Sequence, residues 1–150
     1  MKALIQRVKR GSVSVDSQIT GKIDKGFVVL LGVKEGDKEE DALHLAHKTV
    51  NLRVFPDEQS KMNLSIQDIN GEILVISQFT LYADTRKGNR PSFAKAAPPE
   101  LAESLYNTYI DSLARAIGKD RVAAGVFGAM MTVEIINDGP VTVELTSDNK

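Results

Sequence analysis

The chain has 150 residues, 42% of them apolar and 26% charged, with a formal net charge of −1 from 19 basic and 20 acidic side chains. That is one domain's worth, and such a chain buries roughly 70% of its unfolded surface. It has no cysteine, no tryptophan and only two histidines, which excludes a disulfide framework, a Cys-based zinc site, an iron–sulfur cluster and a thiolate nucleophile.

A strongly basic nucleic-acid-binding domain is not what this charge balance suggests, so any nucleic acid must be met by a local patch. The apolar run at the amino terminus is too short for a signal-peptide core, and charges follow it directly. The longest unbroken apolar stretch, Phe27 to Leu31, is far below the roughly 20 residues that span a bilayer. The chain reads as soluble, and its lack of cysteine fits a reducing cytoplasm.

Residues 3–8 predict a strand, followed by the alternation Ser12-Val13-Ser14-Val15. A turn at Thr20-Gly21 leads to a short strand near Ile23. Residues 27–33 are continuously apolar, which fits a strand covered on both faces. A helix follows, with Asp37 as its cap, Glu40 three residues on, and Leu43, Ala46, His47 and Val50 on one face. Residues 52–55 predict a strand ended by Pro56-Asp57, and residues 72–77 predict another. Residues 85–99 hold three prolines and no clear period, a long irregular segment of the kind that is usually functional or disordered.

The clearest helix comes next. Pro98-Pro99-Glu100 opens it, Leu101, Leu105, Tyr109 and Leu113 line its inner face, and Gly118 closes it. Residues 131–136 and 141–145 predict two strands joined by Asn137-Asp138-Gly139-Pro140. Asp-Gly there is a hairpin signal, and the proline makes the turn non-standard. The expected fold is α/β (α+β): an antiparallel, barrel-like curled sheet of about seven strands with two helices packed outside. It forms one domain, residues 1–150, with a short polar tail over 146–150.

Four segments are candidate sites. His44 and His47 share a helix face and could hold a metal, but no third ligand is marked out by spacing, and a structural or surface role is the plainer reading. Ser77-Gln78-Phe79-Thr80-Leu81 ends a buried strand in hydroxyl and amide groups, which must be solvated, paired or used. They could bind a polar ligand, with backbone N–H groups facing an oxyanion, or simply satisfy local backbone groups. Residues 85–99 carry Arg86, Lys87, Arg90 and Lys95 with no acid among them. With Phe93 they suit phosphates and a stacked base, or form a solvated basic loop. Residues 137–142 read as a plain hairpin, or as a rigid loop presenting adjacent carbonyls if the Gly139–Pro140 bond is cis.

Taken together, Ile5-Gln6-Arg7-Val8, Lys61-Met62-Asn63-Leu64-Ser65, Ser77-Gln78-Phe79-Thr80-Leu81, Lys87-Gly88-Asn89-Arg90-Pro91-Ser92-Phe93, Gly125-Val126-Phe127-Gly128-Ala129 and Asn137-Asp138-Gly139-Pro140-Val141-Thr142 resemble the D-aminoacyl-tRNA deacylases. These are also called D-tyrosyl-tRNA deacylases. The motifs occur in the family's order over about residues 1–146; Met130 stands where many members have an acidic residue. The resemblance implies a dimeric, barrel-like fold that hydrolyses the ester between a D-amino acid and its tRNA, with no cofactor and no metal. Ser77, Gln78, Phe79 and Thr80 would line the pocket. A cis Gly139–Pro140 loop, with Asn137 and held in place by Arg7, would enter the partner subunit's pocket and leave no room for an L side chain. Arg86, Lys87, Arg90, Phe127 and Met131 would meet the tRNA. Glycyl-tRNA, with no side chain to exclude, would be an additional substrate.

Two mechanisms are compatible with these residues. Thr80 could attack the ester, but a threonine hydroxyl needs an activating base, and the sequence offers none beside it. Alternatively water attacks, assisted by the ribose 2′-hydroxyl, while N–H groups near Phe79 and Thr80 stabilise the oxyanion; this is the preferred reading. A non-catalytic RNA-binding module on the same fold is the remaining alternative.

Overall fold

The computed structural model describes residues 1–148; Asn149 and Lys150, the end of the expected tail, lie outside them. The longest strands organise everything else. Strand β1 (Lys2–Val15) pairs with β3 (Gly26–Gly32) along its first half and with β2 (Gln18–Ile23) along its second. Its other edge is covered by β8 (Thr132–Thr146). These three pairings are antiparallel, as expected. The two predicted N-terminal stretches are therefore one strand. The β1–β2 turn falls at Asp16 and Ser17, whose φ angles of 48° and 65° suit a tight hairpin. Thr20 and Gly21 lie inside β2 instead.

Beyond β3 the sheet is mixed, which corrects the all-antiparallel expectation. Strand β6 (Glu72–Ser77) pairs with β3, and β7 (Val122–Ala124) with β6, both in parallel. Parallel neighbours need a long crossover, and each helix supplies one. Helix α1 (Glu39–Asn51) and the small ribbon of β4 (Phe55–Pro56) and β5 (Met62–Leu64) link β3 to β6. Helix α2 (Pro99–Ile117) links β6 to β7. The order β2-β1-β3-β6-β7 curls nearly shut, since a Cβ on Gly21 of β2 would stand 2.9 Å from the Ala124 carbonyl of β7.

Curling gives the sheet two apolar faces, which is why β3 and β6 are apolar throughout. Phe27, Val29, Ile73 and Val75 face the helices, where Leu45, Leu105, Tyr109 and Leu113 meet them. Val28, Leu74 and Ile76 join Val8 and Val13 inside the curl. Each such side chain contributes about 1.5–3 kcal/mol. The helices are tied to each other by the hydroxyls of Thr49 and Tyr109, 2.7 Å apart and buried.

Helix α1 starts one residue later than predicted. Lys38 occupies the cap position, and its N–H donates to Asp41 Oδ2 at 2.8 Å. Asp37 is engaged elsewhere: it accepts from the Met1 ammonium at 2.8 Å and from the Lys34 N–H at 2.7 Å. Ala42, Leu45, Ala46, Thr49 and Val50 consequently face inward, while Leu43 and His47 are exposed. Helix α2 ends at Gly118 as predicted, with φ 99°. Residues 52–54 are not a strand, and Pro56, expected to end one, lies within β4. Ser147 and Asp148, within the expected tail, are anchored to the Met1 ammonium and to Lys34, each at 2.6 Å.

The largest correction concerns residues 131–145. They form no hairpin: β8 runs along β1 in one direction throughout. Between the pairs Gln6–Thr142 and Val8–Asn137, β1 advances two residues and β8 five. The segment around Gly139 and Pro140 is therefore a bulge pushed out of a single strand.

Candidate active site

Strand β6 ends in polar side chains because the sheet ends there. Ser77 makes its last pair with Leu31, and the Gln78 N–H donates to the Leu31 carbonyl at 2.8 Å. The chain then leaves the sheet at Gln78 (φ −144°, ψ 82°) and makes one 3-10 turn, Phe79–Tyr82. The first N–H groups of such a turn have no partner within it, so those of Phe79 and Thr80 stand at its open start. The Gln78 side-chain amide donates to the Thr80 hydroxyl. Thr80 is exposed and Phe79 is 57% exposed. The Phe79 ring meets that of Phe93 edge-on, centroids 5.0 Å apart. Tyr82 packs inward, and burial pushes its phenol well above the usual range.

Segment 125–131 borders the same end of the sheet. The Gly125 N–H donates to the Val75 carbonyl at 3.0 Å, and the Tyr106 hydroxyl donates to the same oxygen at 3.0 Å. Burial pushes that Tyr106 hydroxyl up to about 12. Phe127 is half-buried against Tyr106, ring centroids 5.6 Å apart, and Met131 packs on the inner apolar cluster. Met130 between them is 92% exposed.

Residues 84–92 form a closed loop. Asp84 and Ser92 exchange backbone hydrogen bonds of 2.7 and 2.9 Å. Arg86 folds back on Asp84, with Nε 2.9 Å from Oδ1 and Nη2 2.5 Å from Oδ2. This contact holds the Asp84 carboxyl well below the usual carboxylate range. Arg86 is thus neutralised locally, by an acid just outside the stretch that looked purely basic. Among the described residues Lys87, Arg90 and Lys95 have no ion-pair partner.

The β8 bulge is held from two sides. The Asn137 amide spans its neck, accepting from the Val141 N–H at 2.8 Å and donating to the Val141 carbonyl at 3.1 Å and to Gln6 Oε1 at 3.2 Å. Arg7 lies opposite, its side chain 11% exposed. Its Nε donates to the Asp138 carbonyl at 2.8 Å and its Nη1 to the Val54 carbonyl at 2.5 Å. Gly139 has φ 142°, and a Cβ there would stand 2.7 Å from Val141 Cγ2 and 3.1 Å from Arg7 Nη2. Only glycine fits that backbone. The Gly139–Pro140 peptide is cis.

Within one chain the bulge and the turn lie toward opposite ends of the β3–β6 strand pair. Arg7 and Val8, beside the bulge, pair with Phe27 and Gly26, which pair in turn with Ile73 and Glu72. Ser77 is five residues further along β6, about 17 Å at the rise of a strand. Strands β1 and β3 also separate β8 from β6.

The two histidines are not part of either feature. His47 is exposed on α1, its Nδ1 3.4 Å from the Asn51 amide, and the buried His44 Nε2 has no hydrogen-bond partner among the described residues.

The fold and site define a class: an α/β domain with a curled mixed sheet, whose candidate site offers backbone donors, a hydroxyl and an amide rather than an ionised side chain. Comparison with known proteins supplies the family. The family profile described as D-Tyr-tRNA(Tyr) deacylase matches residues 4–146, and the chain belongs to that family. It is 57% identical over 150 residues to a D-aminoacyl-tRNA deacylase of Dehalococcoides mccartyi, covering 100% of this chain and 97% of that one. It is 52% identical over 150 residues to a D-aminoacyl-tRNA deacylase of Flavobacterium psychrophilum, covering 100% and 99%. A solved structure described as c-Myc DNA unwinding element binding protein superposes with a TM-score of 0.92 at 44% identity, over 97% of each chain.

Proposed function

We propose that the chain hydrolyses the ester joining a D-amino acid, or glycine, to the terminal ribose of tRNA, and that it does so as a cytoplasmic homodimer. The observation that carries the catalytic half is the turn Phe79–Tyr82, which opens two backbone N–H groups beside an exposed hydroxyl. An aminoacyl ester is already activated, so placement and two donors aimed at the developing oxyanion suffice. Water is the attacking group, and the free 2′-hydroxyl of the ribose relays the proton. Thr80 is not the nucleophile in this reading. Its hydroxyl neighbours Gln78, an uncharged amide that cannot serve as a base, and His47 points outward from α1.

The β8 bulge supplies the stereochemical half. Its backbone carbonyls grip the amino group of the substrate, and the Gly139–Pro140 backbone occupies the space an L side chain needs. Rigid backbone reads the atoms that every substrate shares, and a steric wall rejects the wrong hand without reading the side chain. Because bulge and turn are separated within one chain, the bulge serves the site of a second copy. A two-fold dimer satisfies both sites at once. Arg86, Lys87, Arg90, Phe127 and Met131 meet the tRNA.

Incubation with D-tyrosyl-, L-tyrosyl- and glycyl-tRNA tests this. Release of D-tyrosine and glycine with the L-ester intact is expected. Equal cleavage of both tyrosyl esters refutes the chiral reading. Binding without any cleavage would instead make this a nucleic-acid-binding module, the role that the description of the solved relative names for that protein.

A further inference from the structure

Two open clefts lie side by side beyond the turn Phe79–Tyr82, and they share Asp84 and Arg86 as a common wall. The nearer, about 490 Å³, begins at Leu81 and Tyr82 and is bordered by Lys2, Lys34 and Lys95. The farther, about 610 Å³, is bordered by Lys87, Arg90 and Ser92. Among the described residues four cations face two carboxylates in the first, and three face one in the second. The cations differ in how they are held. Lys2 and Lys34 are committed to Glu144 and Asp148 at 3.8 and 2.6 Å, and Arg86 to Asp84. Lys95 is the cation of the nearer cleft that has no ion-pair partner among the described residues. Its backbone is fixed, because the Lys95 carbonyl accepts from the Glu35 N–H at 3.1 Å. In the farther cleft Lys87 and Arg90 are likewise unpaired.

We infer that these clefts are consecutive phosphodiester subsites for the single-stranded 3′ end of the RNA: Lys95 grips the phosphate nearest the terminal nucleotide, and Lys87 and Arg90 grip phosphates further 5′, with the Asp84–Arg86 pair as the ridge the strand crosses. This rests on the deacylase reading, which sets the terminal ribose at the turn and thereby the direction of the strand. The ridge stays neutral overall, so it spaces the phosphates without competing for them. The sequence marks Lys95 only as one cation of a basic segment; its position beside the turn makes it the first that the strand meets.

A series of substrates of increasing length tests the order. D-Tyrosyl esters of adenosine, of the trinucleotide CCA and of whole tRNA carry zero, two and many phosphodiesters. The readout is the kcat/KM of each longer ester divided by that of the adenosine ester, with its salt dependence. Lys95→Gln is expected to lower this ratio about five- to tenfold for CCA as well as for tRNA, through KM, and to reduce the salt slope by about 0.7. The double variant Lys87→Gln with Arg90→Gln is expected to lower the ratio more for tRNA than for CCA. Lys61→Gln on the β4–β5 ribbon controls for loss of charge alone and should leave both ratios in place. A Lys95→Gln ratio equal to the parent's on CCA overturns the inference, as does a double variant that harms CCA more than Lys95→Gln does. Failure of the parent to cleave any of the three esters overturns the deacylase reading as well, which makes the two failures distinguishable.

Discussion

Arg7 is the side chain on which the shape of the bulge most depends, and its replacement by methionine keeps the bulk while removing the donors. Two charge-assisted hydrogen bonds disappear, to the Asp138 carbonyl at 2.8 Å and the Val54 carbonyl at 2.5 Å, and both acceptors are left partly buried. A bond to a charged group contributes about 1.5–3 kcal/mol, and a partly exposed carbonyl recovers some of that from water. The expected loss is therefore about 2–4 kcal/mol, or roughly 5–15 °C in the thermal midpoint of a chain of this size. Arg7→Lys should fall between, because one ammonium cannot reach both carbonyls in the same geometry. Thermal unfolding by circular dichroism measures this part. The functional part is measured at 25 °C, where the variant is folded: the preference for D-tyrosyl over L-tyrosyl ester should collapse while the D-ester is still cleaved. A midpoint within about 2 °C of the parent, together with full discrimination, would show that Arg7 does not hold the bulge.

Phe79→Pro deletes one proposed oxyanion donor, because proline carries no N–H; kcat should drop about 10²–10³-fold, and a drop under tenfold would remove that N–H from the mechanism. Thr80→Ala should keep most of the activity, whereas background activity would establish the acyl-enzyme route. Asp84→Asn frees Arg86 and should steepen the salt dependence of tRNA cleavage; an unchanged slope would mean that Arg86 is not neutralised by Asp84. Since the folded pKa of Asp84 is depressed, its pairing is complete above the unfolded value of about 3.9 and fades only as pH falls through the lower folded one. Rate profiles between pH 5 and 8 should therefore contain no step that Asp84→Asn abolishes. Tyr109→Phe removes the buried 2.7 Å contact with Thr49, but the Thr49 hydroxyl still donates to the Leu45 carbonyl, so a loss near 1 kcal/mol, or about 2–4 °C, is expected in a melting experiment.

What was legible in the sequence was local, and what was not was set at long range. The run from Phe27 to Leu31 marks a strand covered on both faces because both faces of β3 are covered, and Leu105, Tyr109 and Leu113 mark the inner side of α2 for the same reason. The hydroxyl and amide groups at Ser77–Thr80 mark a strand end, and they are one. The bulge at Gly139 was misread because Asp-Gly between two alternating stretches is a hairpin signal; only the shared pairing with β1 shows that both halves run the same way. The capping of α1 was misplaced because Asp37 is claimed by Met1, 36 residues away. Parallel pairing was missed although strand, helix, strand, helix in succession points to it, in part because β7 has only three residues. The pairing of Arg86 was within reach, since Asp84 precedes it by two residues.

The claim at the centre of this account is that each site is finished by the other subunit. Co-expressing a Phe79→Pro chain, whose bulge is intact, with a Gly139→Val chain, whose turn is intact, tests it in one assay of D-tyrosyl-tRNA cleavage. If the bulge works across the dimer, half of the randomly paired dimers are mixed and each holds one complete site, so about a quarter of parental activity returns. If the bulge serves its own chain, no pairing yields a complete site, and activity no higher than that of either variant alone contradicts the account.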